Sequence, residues 1–250
     1  MGLPGTNRST LVVAAVAVVA LGVGLTARHL FASRPKPPPV AKTGPGWIEP
    51  EAVLRVPHAP GAILLDGDTD DRGWTGNPPP ARTHDFVTSG GVPARPFSEV
   101  RMVWGDGYLY LSLYAADEDI ESRTTEADGP VWLDDVFRVV FTRSDTQYAI
   151  EVSPRAVVTD SIRHGSGKWD YSWSGGVHVS KEMDGSLNNP NDRDEEWVIE
   201  MAVPFESIGL EGKAGESIGF NASRCDTLKS GDRVCSSWGE TTPAGRVVLE

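Results

Sequence analysis

Beyond residue 58 the chain alternates apolar and polar positions with a period of two in many short windows. In residues 108–115, Leu109, Leu111, Leu113 and Ala115 alternate with Tyr108, Tyr110, Ser112 and Tyr114. One face of that segment is aliphatic and the other aromatic or polar, the pattern of a half-buried strand. Residues 62–65, 99–104, 136–142, 147–152, 157–162, 177–183, 197–203, 217–224, 234–238 and 246–249 read similarly. Gly105-Asp106-Gly107 has the composition of a hairpin connection, and Asp66-Gly67-Asp68 is a turn signal. Residues 205–208 fit one short helical turn after Pro204. The pattern predicts an all-β fold in one domain, a two-sheet antiparallel β-sandwich or jelly roll, with no internal repeat.

The N-terminal pattern is different. Residues 9–27 contain no charged side chain, and 11–25 consist of Leu, Val, Ala and Gly. A helix of that length rises about 28 Å, near the hydrocarbon thickness of a bilayer. Ala27 and Ala32 each follow a Leu two residues earlier, which is poor for signal cleavage, so an uncleaved transmembrane anchor is favoured over a signal peptide. The expected organisation is an anchor at 1–28, a Pro-rich linker at 29–57 and the sandwich at 58–250. Only Arg8 precedes the span, whereas Arg28, Arg34, Lys36 and Lys42 follow it. The positive-inside rule taken alone would keep the domain in the cytoplasm.

The cysteines point the other way. Cys225 and Cys235 flank a polar stretch that reads as a hairpin tip. A disulfide there contributes about 3 kcal/mol in the chain-entropy model and persists in an oxidising compartment; two free thiols are the alternative. The expected location is membrane-anchored, with the domain in the periplasm or outside the cell, or secreted if the helix is cleaved.

Charge separates the two parts further. The net charge is −12, yet residues 1–46 hold five Lys or Arg and no acid, leaving 18 bases against 35 acids and −17 on residues 47–250. Phosphate neutralisation needs a basic face, so nucleic-acid binding is not expected.

Several segments, in order, then resemble a known pattern. They are Ile63-Leu64-Leu65-Asp66-Gly67 with Trp74; Val100 to Trp104 followed by Tyr108-Leu109-Tyr110 and Asp117; Trp132-Leu133-Asp134-Asp135-Val136; and Trp197-Val198-Ile199-Glu200-Met201-Ala202-Val203-Pro204-Phe205. Ile218-Gly219-Phe220-Asn221, Ser237-Trp238 and Gly245-Arg246-Val247-Val248-Leu249 complete the series. Over roughly 58–250 this resembles the family 9 carbohydrate-binding modules. The resemblance implies a DOMON-like sandwich, a non-catalytic role beside glycoside hydrolases such as xylanases or a transport partner, a sugar held by aromatic rings, and structural calcium.

A pyranose offers an apolar C–H face and an equator of hydroxyls, so its site needs a flat aromatic platform with polar side chains around it. Trp132 stands where the family places a stacking tryptophan, with Asp134 and Arg138 as candidate hydroxyl partners. Where the family's sugar binders carry an acid six residues after that tryptophan, this chain has Arg138, and a second platform tryptophan near the C terminus has no counterpart. Trp169, Tyr171 and Trp173 would share one side of an extended segment. Tyr171 and Trp173 are therefore second-choice platforms, with covering of an apolar edge as the other reading. Asp66, Asp68 and Asp70 offer hard oxygen ligands for calcium, or simply form a solvated turn. Asp135 is expected to make a structural hydrogen bond.

For catalysis, Glu151 and Glu200 are the available carboxylates, and no nucleophile elbow is present. No organic cofactor is expected. The rival reading is a b-type haem held by Met102 with His164 or His178, as in the haem-binding branch of the DOMON-type domains. A third is a sandwich that no longer binds sugar.

Overall fold

The computed structural model describes residues 52–89, 91–240 and 242–250. The expected membrane span at 9–27 lies outside the described residues, and among those described no helix is long and apolar enough to cross a membrane. Among the described residues twelve strands form two sheets: β1 (Ala52–Val56), β2 (Ala81–Arg82), β3 (Ser98–Gly105), β4 (Tyr108–Ala116), β5 (Val136–Arg143), β6 (Thr146–Val152), β7 (Val158–His164), β8 (His178–Asp184), β9 (Glu196–Pro204), β10 (Ser217–Thr227), β11 (Arg233–Ser237) and β12 (Gly245–Leu249). The seven-stranded sheet has the order β1-β12-β10-β5-β6-β7, with β11 also paired to β10; the five-stranded sheet has the order β2-β3-β4-β9-β8.

The aliphatic faces meet between the sheets. Leu109, Leu111 and Leu113 of β4 and Ile199, Met201 and Val203 of β9 are fully buried in one cluster with Phe137, Val139 and Phe141 of β5 and Phe220 of β10. That interior is the hydrophobic contribution the alternating pattern foretells. Residues 205–208 form a 3-10 turn closed by Gly209 at φ 74°, a left-handed conformation that glycine adopts without strain.

Three expectations change. The linker does not run to 57, because Ala52–Val56 is a strand of the larger sheet. It pairs in parallel with β12, Ala52 opposite Gly245 and Val56 opposite Leu249, so the sandwich is not purely antiparallel; the other named strand pairs are antiparallel. Parallel neighbours need a long crossover, which the rest of the domain supplies. Residues 62–65 are not a strand. Leu64 is exposed, and its N–H bonds the Asp71 carboxylate at 2.5 Å while Gly73 N–H bonds the Ala62 carbonyl. This segment folds onto the short helix Arg72–Thr75 instead of joining a sheet.

Glu200 holds that loop in place. Its carboxylate, buried on the outer face of the five-stranded sheet, accepts from Gly67 N–H at 2.7 Å, Asp66 N–H at 3.0 Å and Trp74 Nε1 at 2.8 Å. Burial raises its pKa against the lowering effect of these donors.

One end of the interior is ionic. Arg224 points inward from β10 and donates to Asp117 Oδ2 at 2.8 Å and to the Ala116 carbonyl at 2.7 Å, with Asp226 Oδ1 at 3.0 Å. Trp197 Nε1 also donates to Asp117, at 2.9 Å. Asp135 accepts from Glu121 N–H and Thr227 N–H at 2.6 and 2.7 Å. Desolvation first, then the Asp117 charge, pushes its pKa up to about 8.

Candidate functional site

The outer face of the seven-stranded sheet carries the polar half of each alternation. Register places Ser223, Arg138, Glu151 and Thr159 in one row across β10, β5, β6 and β7. The next rows are Asn221, Val140, Ala149 and Ser161, then Gly219, Thr142, Gln147 and Arg163. Hydroxyls, amides and guanidinium groups alternate with small apolar residues on this face; Thr159, Ser161, Asn221 and Glu151 are themselves buried, which leaves the arginines and Ser223 among the groups nearer solvent.

Aromatic rings lie over it. Ile162 and Asp170 exchange backbone hydrogen bonds, extending the sheet beyond β7. Asp170 thereby shares a face with Ile162, and Trp169 turns to the outer face. The guanidinium carbons of Arg138 and Arg163 lie 4.8 and 4.5 Å from the Trp169 ring centroid, within cation–π range. Arg138 also pairs with Glu151 at 2.5 Å, and Arg163 donates to Gln147 Oε1. Tyr171, 46% exposed, sits with its ring centroid 6.1 Å from that of Trp132, itself 44% exposed. Arg233 of β11 reaches the same corner, donating to the Trp132 and Asp134 carbonyls at 2.8 Å each.

Beside Ser223, an open groove of about 450 Å³ runs between residues 87–89 and strands β10 and β11. Thr88, Ser89, Ser236 and Ser237 offer hydroxyls there, and Glu240 one carboxylate. Cys225 and Cys235 line the groove, joined as a disulfide across the β10–β11 hairpin. The hairpin expectation for these cysteines is met.

The predicted site residues divide. Trp132, Arg138 and Tyr171 belong to this surface. Asp134 does not: it is buried, and its Oδ2 accepts from Thr124 N–H at 2.9 Å and Ser122 Oγ at 3.2 Å, so it fixes a loop and is not offered to a ligand. Trp173 does not share a side with Trp169 and Tyr171 but packs on Tyr148, centroids 5.6 Å apart. The extended segment ends before it, where Asp170 Oδ1 accepts from Ser172 N–H and turns the chain. Arg163, Gln147 and Arg233 were not foreseen; the signal for Arg163 was its place in the polar phase of β7 with Thr159 and Ser161.

The calcium expectation at Asp66, Asp68 and Asp70 does not fit. Asp66 Oδ1 accepts from Asp68 N–H at 3.0 Å, an Asx turn, and the three carboxylates do not converge. Among the described residues one acidic trio converges, Asp117, Asp135 and Asp226, with an oxygen of each within 4.8 Å of the others. There the compensating cation is the Arg224 guanidinium, and N–H donors already occupy Asp117 and both oxygens of Asp135.

The haem pairing is not assembled either. Met102 is fully buried between the sheets, His178 is exposed at the start of β8, and His164 is exposed at the end of β7, bonding Thr146. A catalytic carboxylate pair is equally absent from the two residues considered. Glu151 lies on the outer face of one sheet and Glu200 on the outer face of the other, with the whole sandwich between them.

Comparison with known proteins bears on the fold. No family model matches the chain, and no curated protein matches its sequence. Among solved structures, a candidate carbohydrate-binding protein from Bacteroides uniformis superposes with a TM-score of 0.63 at 16% identity, covering 80% of this chain and 100% of that one. A family 9 carbohydrate-binding module from Caldicellulosiruptor kristjanssonii in complex with cellotriose gives a TM-score of 0.53 at 16% identity, over 80% of this chain and 94% of the module. The module in complex with glucose gives 0.51 at 15% identity, over 78% and 95%. The class defined by these likenesses is a β-sandwich with the fold of the family 9 modules.

Proposed function

We propose that this chain binds carbohydrate without catalysis, through the outer face of its seven-stranded sheet. The observation that carries the reading is the exposed Trp132–Tyr171 pair beside Trp169, whose ring is contacted by Arg138 and Arg163. Two large rings left open to water on a face that also carries guanidinium groups suit a pyranose, which stacks by its C–H face and hydrogen-bonds by its edge. The fold shared with modules that hold cellotriose and glucose supports the same reading.

Residues 9–27 anchor the domain to a membrane, and the Cys225–Cys235 disulfide suits an oxidising space outside the cytoplasm. Cleavage or uptake of the captured glycan falls to a separate hydrolase or transport protein. The test is a glycan array followed by calorimetry on the full chain in detergent, with Trp132→Ala beside it. Saturable binding weakened by the substitution supports the reading, and absence of binding to every soluble oligosaccharide overturns it.

A further inference from the structure

The two outer faces of the sandwich carry opposite charge. On the seven-stranded sheet, strand alternation puts Arg55, Arg138, Arg163, Arg233 and Arg246 outward, and Glu151 is the one acid at an outward strand position there. On the five-stranded sheet the outward positions hold Glu99, Glu182, Asp184, Glu196 and Glu200 against Arg82 and Arg101. In a region of −17, five arginines collected on the face that bears the exposed aromatic rings mark that face off from the rest of the surface.

Two of these arginines have no carboxylate partner among the described residues. Arg163 bonds a neutral amide, Gln147, and leaves its buried Nε without a partner. Arg233 donates to Thr227 Oγ1 and to backbone carbonyls at Trp132 and Asp134. Arg138 is neutralised by Glu151, and Arg55 by Glu250. Stacking of Arg163 on Trp169 holds a planar fork in a fixed orientation, and such a fork matches a carboxylate in two parallel hydrogen bonds.

Resting on the carbohydrate-binding reading, we infer that the ligand is an acidic glycan, a polymer or oligomer of uronic acids, with sugar rings on Trp132 and Tyr171 and ring carboxylates at Arg163 and Arg233. A neutral glucan would satisfy the rings and leave both guanidinium groups without their natural partner. A phosphate polyanion such as polyphosphate or an anionic lipid surface would use the charge but leave the ring pair without a sugar face to stack on.

The test measures binding of the full chain in detergent to oligogalacturonate and alginate oligomers, with cellohexaose and xylohexaose as neutral counterparts, at low and high NaCl. Binding to a uronate oligomer about tenfold or more tighter than to both neutral sugars is expected. It should weaken about tenfold as salt screens the pairs and should weaken similarly in Arg163→Gln and Arg233→Gln. Because Arg233 also holds the Trp132 and Asp134 carbonyls, its variant is compared with Arg233→Lys, and the salt response of the unaltered protein provides the same reading without any substitution. Equal or tighter binding of neutral oligomers, insensitive to salt, overturns the acidic ligand and leaves sugar binding standing. Binding to phosphatidylserine vesicles or single-stranded DNA with none to any glycan overturns both.

Discussion

Trp132 and Tyr171 meet from two separate parts of the chain, a 3-10 turn before β5 and a segment added beyond β7, with ring planes inclined at 50°. Rings in this tilted arrangement present two differently inclined faces, each about half exposed. Trp132→Ala is expected to remove about 2 kcal/mol of binding, some thirtyfold in affinity by calorimetry. Because the ring is half exposed, the melting temperature should barely move, since surface changes stay within about 0.5 kcal/mol.

Asp135 retains its proton up to about pH 8 in the folded domain, against 3.8 as the ordinary value. The folded state therefore binds one more proton than the unfolded chain between those limits. That contribution is complete below about pH 4, falls as pH rises through the window by up to about 1.4 kcal/mol per unit, and is gone above about pH 8. Asp226, also raised, first by burial and partly offset by Arg224, adds to the same direction. Urea unfolding from pH 5 to 9 should show this decline, and Asp135→Asn should flatten it.

Glu200 satisfies three N–H donors with one carboxylate. Glu200→Ala leaves Asp66, Gly67 and Trp74 donors to find water and is expected to destabilise by about 3 kcal/mol or more. Glu200→Gln keeps one acceptor oxygen and should lose less. Proteolysis between residues 62 and 76 would then accelerate most in the alanine variant, and equal cleavage rates in all three proteins would show that the carboxylate does not hold the loop.

The Cys225–Cys235 bond closes the β10–β11 hairpin. Reduction, or replacement of both cysteines by Ser, is expected to lower unfolding stability by about 3 kcal/mol in the chain-entropy model. It should also loosen the wall of the adjoining groove, visible as faster amide exchange across residues 225–235.

Alternation made the principal strands legible because each has one face against the interior. β1 escaped since its five residues adjoin Pro57 and its partner β12 lies at the other end of the domain; parallel pairing leaves no local turn signal. Residues 62–65 misled for the opposite reason, being apolar yet bound to Asp71 and Arg72–Thr75. At the site, Trp132 and Arg138 could be picked from the sequence, but the Trp169 contacts with Arg138 and Arg163 depend on the register of β5, β6 and β7, which no residue states alone. Asp134 and Trp173 failed through events one or two bonds long, a carboxylate turned inward to Thr124 and an Asx turn at Asp170.

The pairing of β1 with β12 also orders events in time. Of the described strands β1 emerges first from a ribosome or a translocation channel, and it has no strand to pair with until residues 245–249 have followed. The edge of β10 that will receive β12 waits equally long. Until β12 has been made, both β1 and that edge of β10 lack their partner, and the pairing that brings the two ends of the fold together at one border of the sheet can form only after synthesis of the last strand.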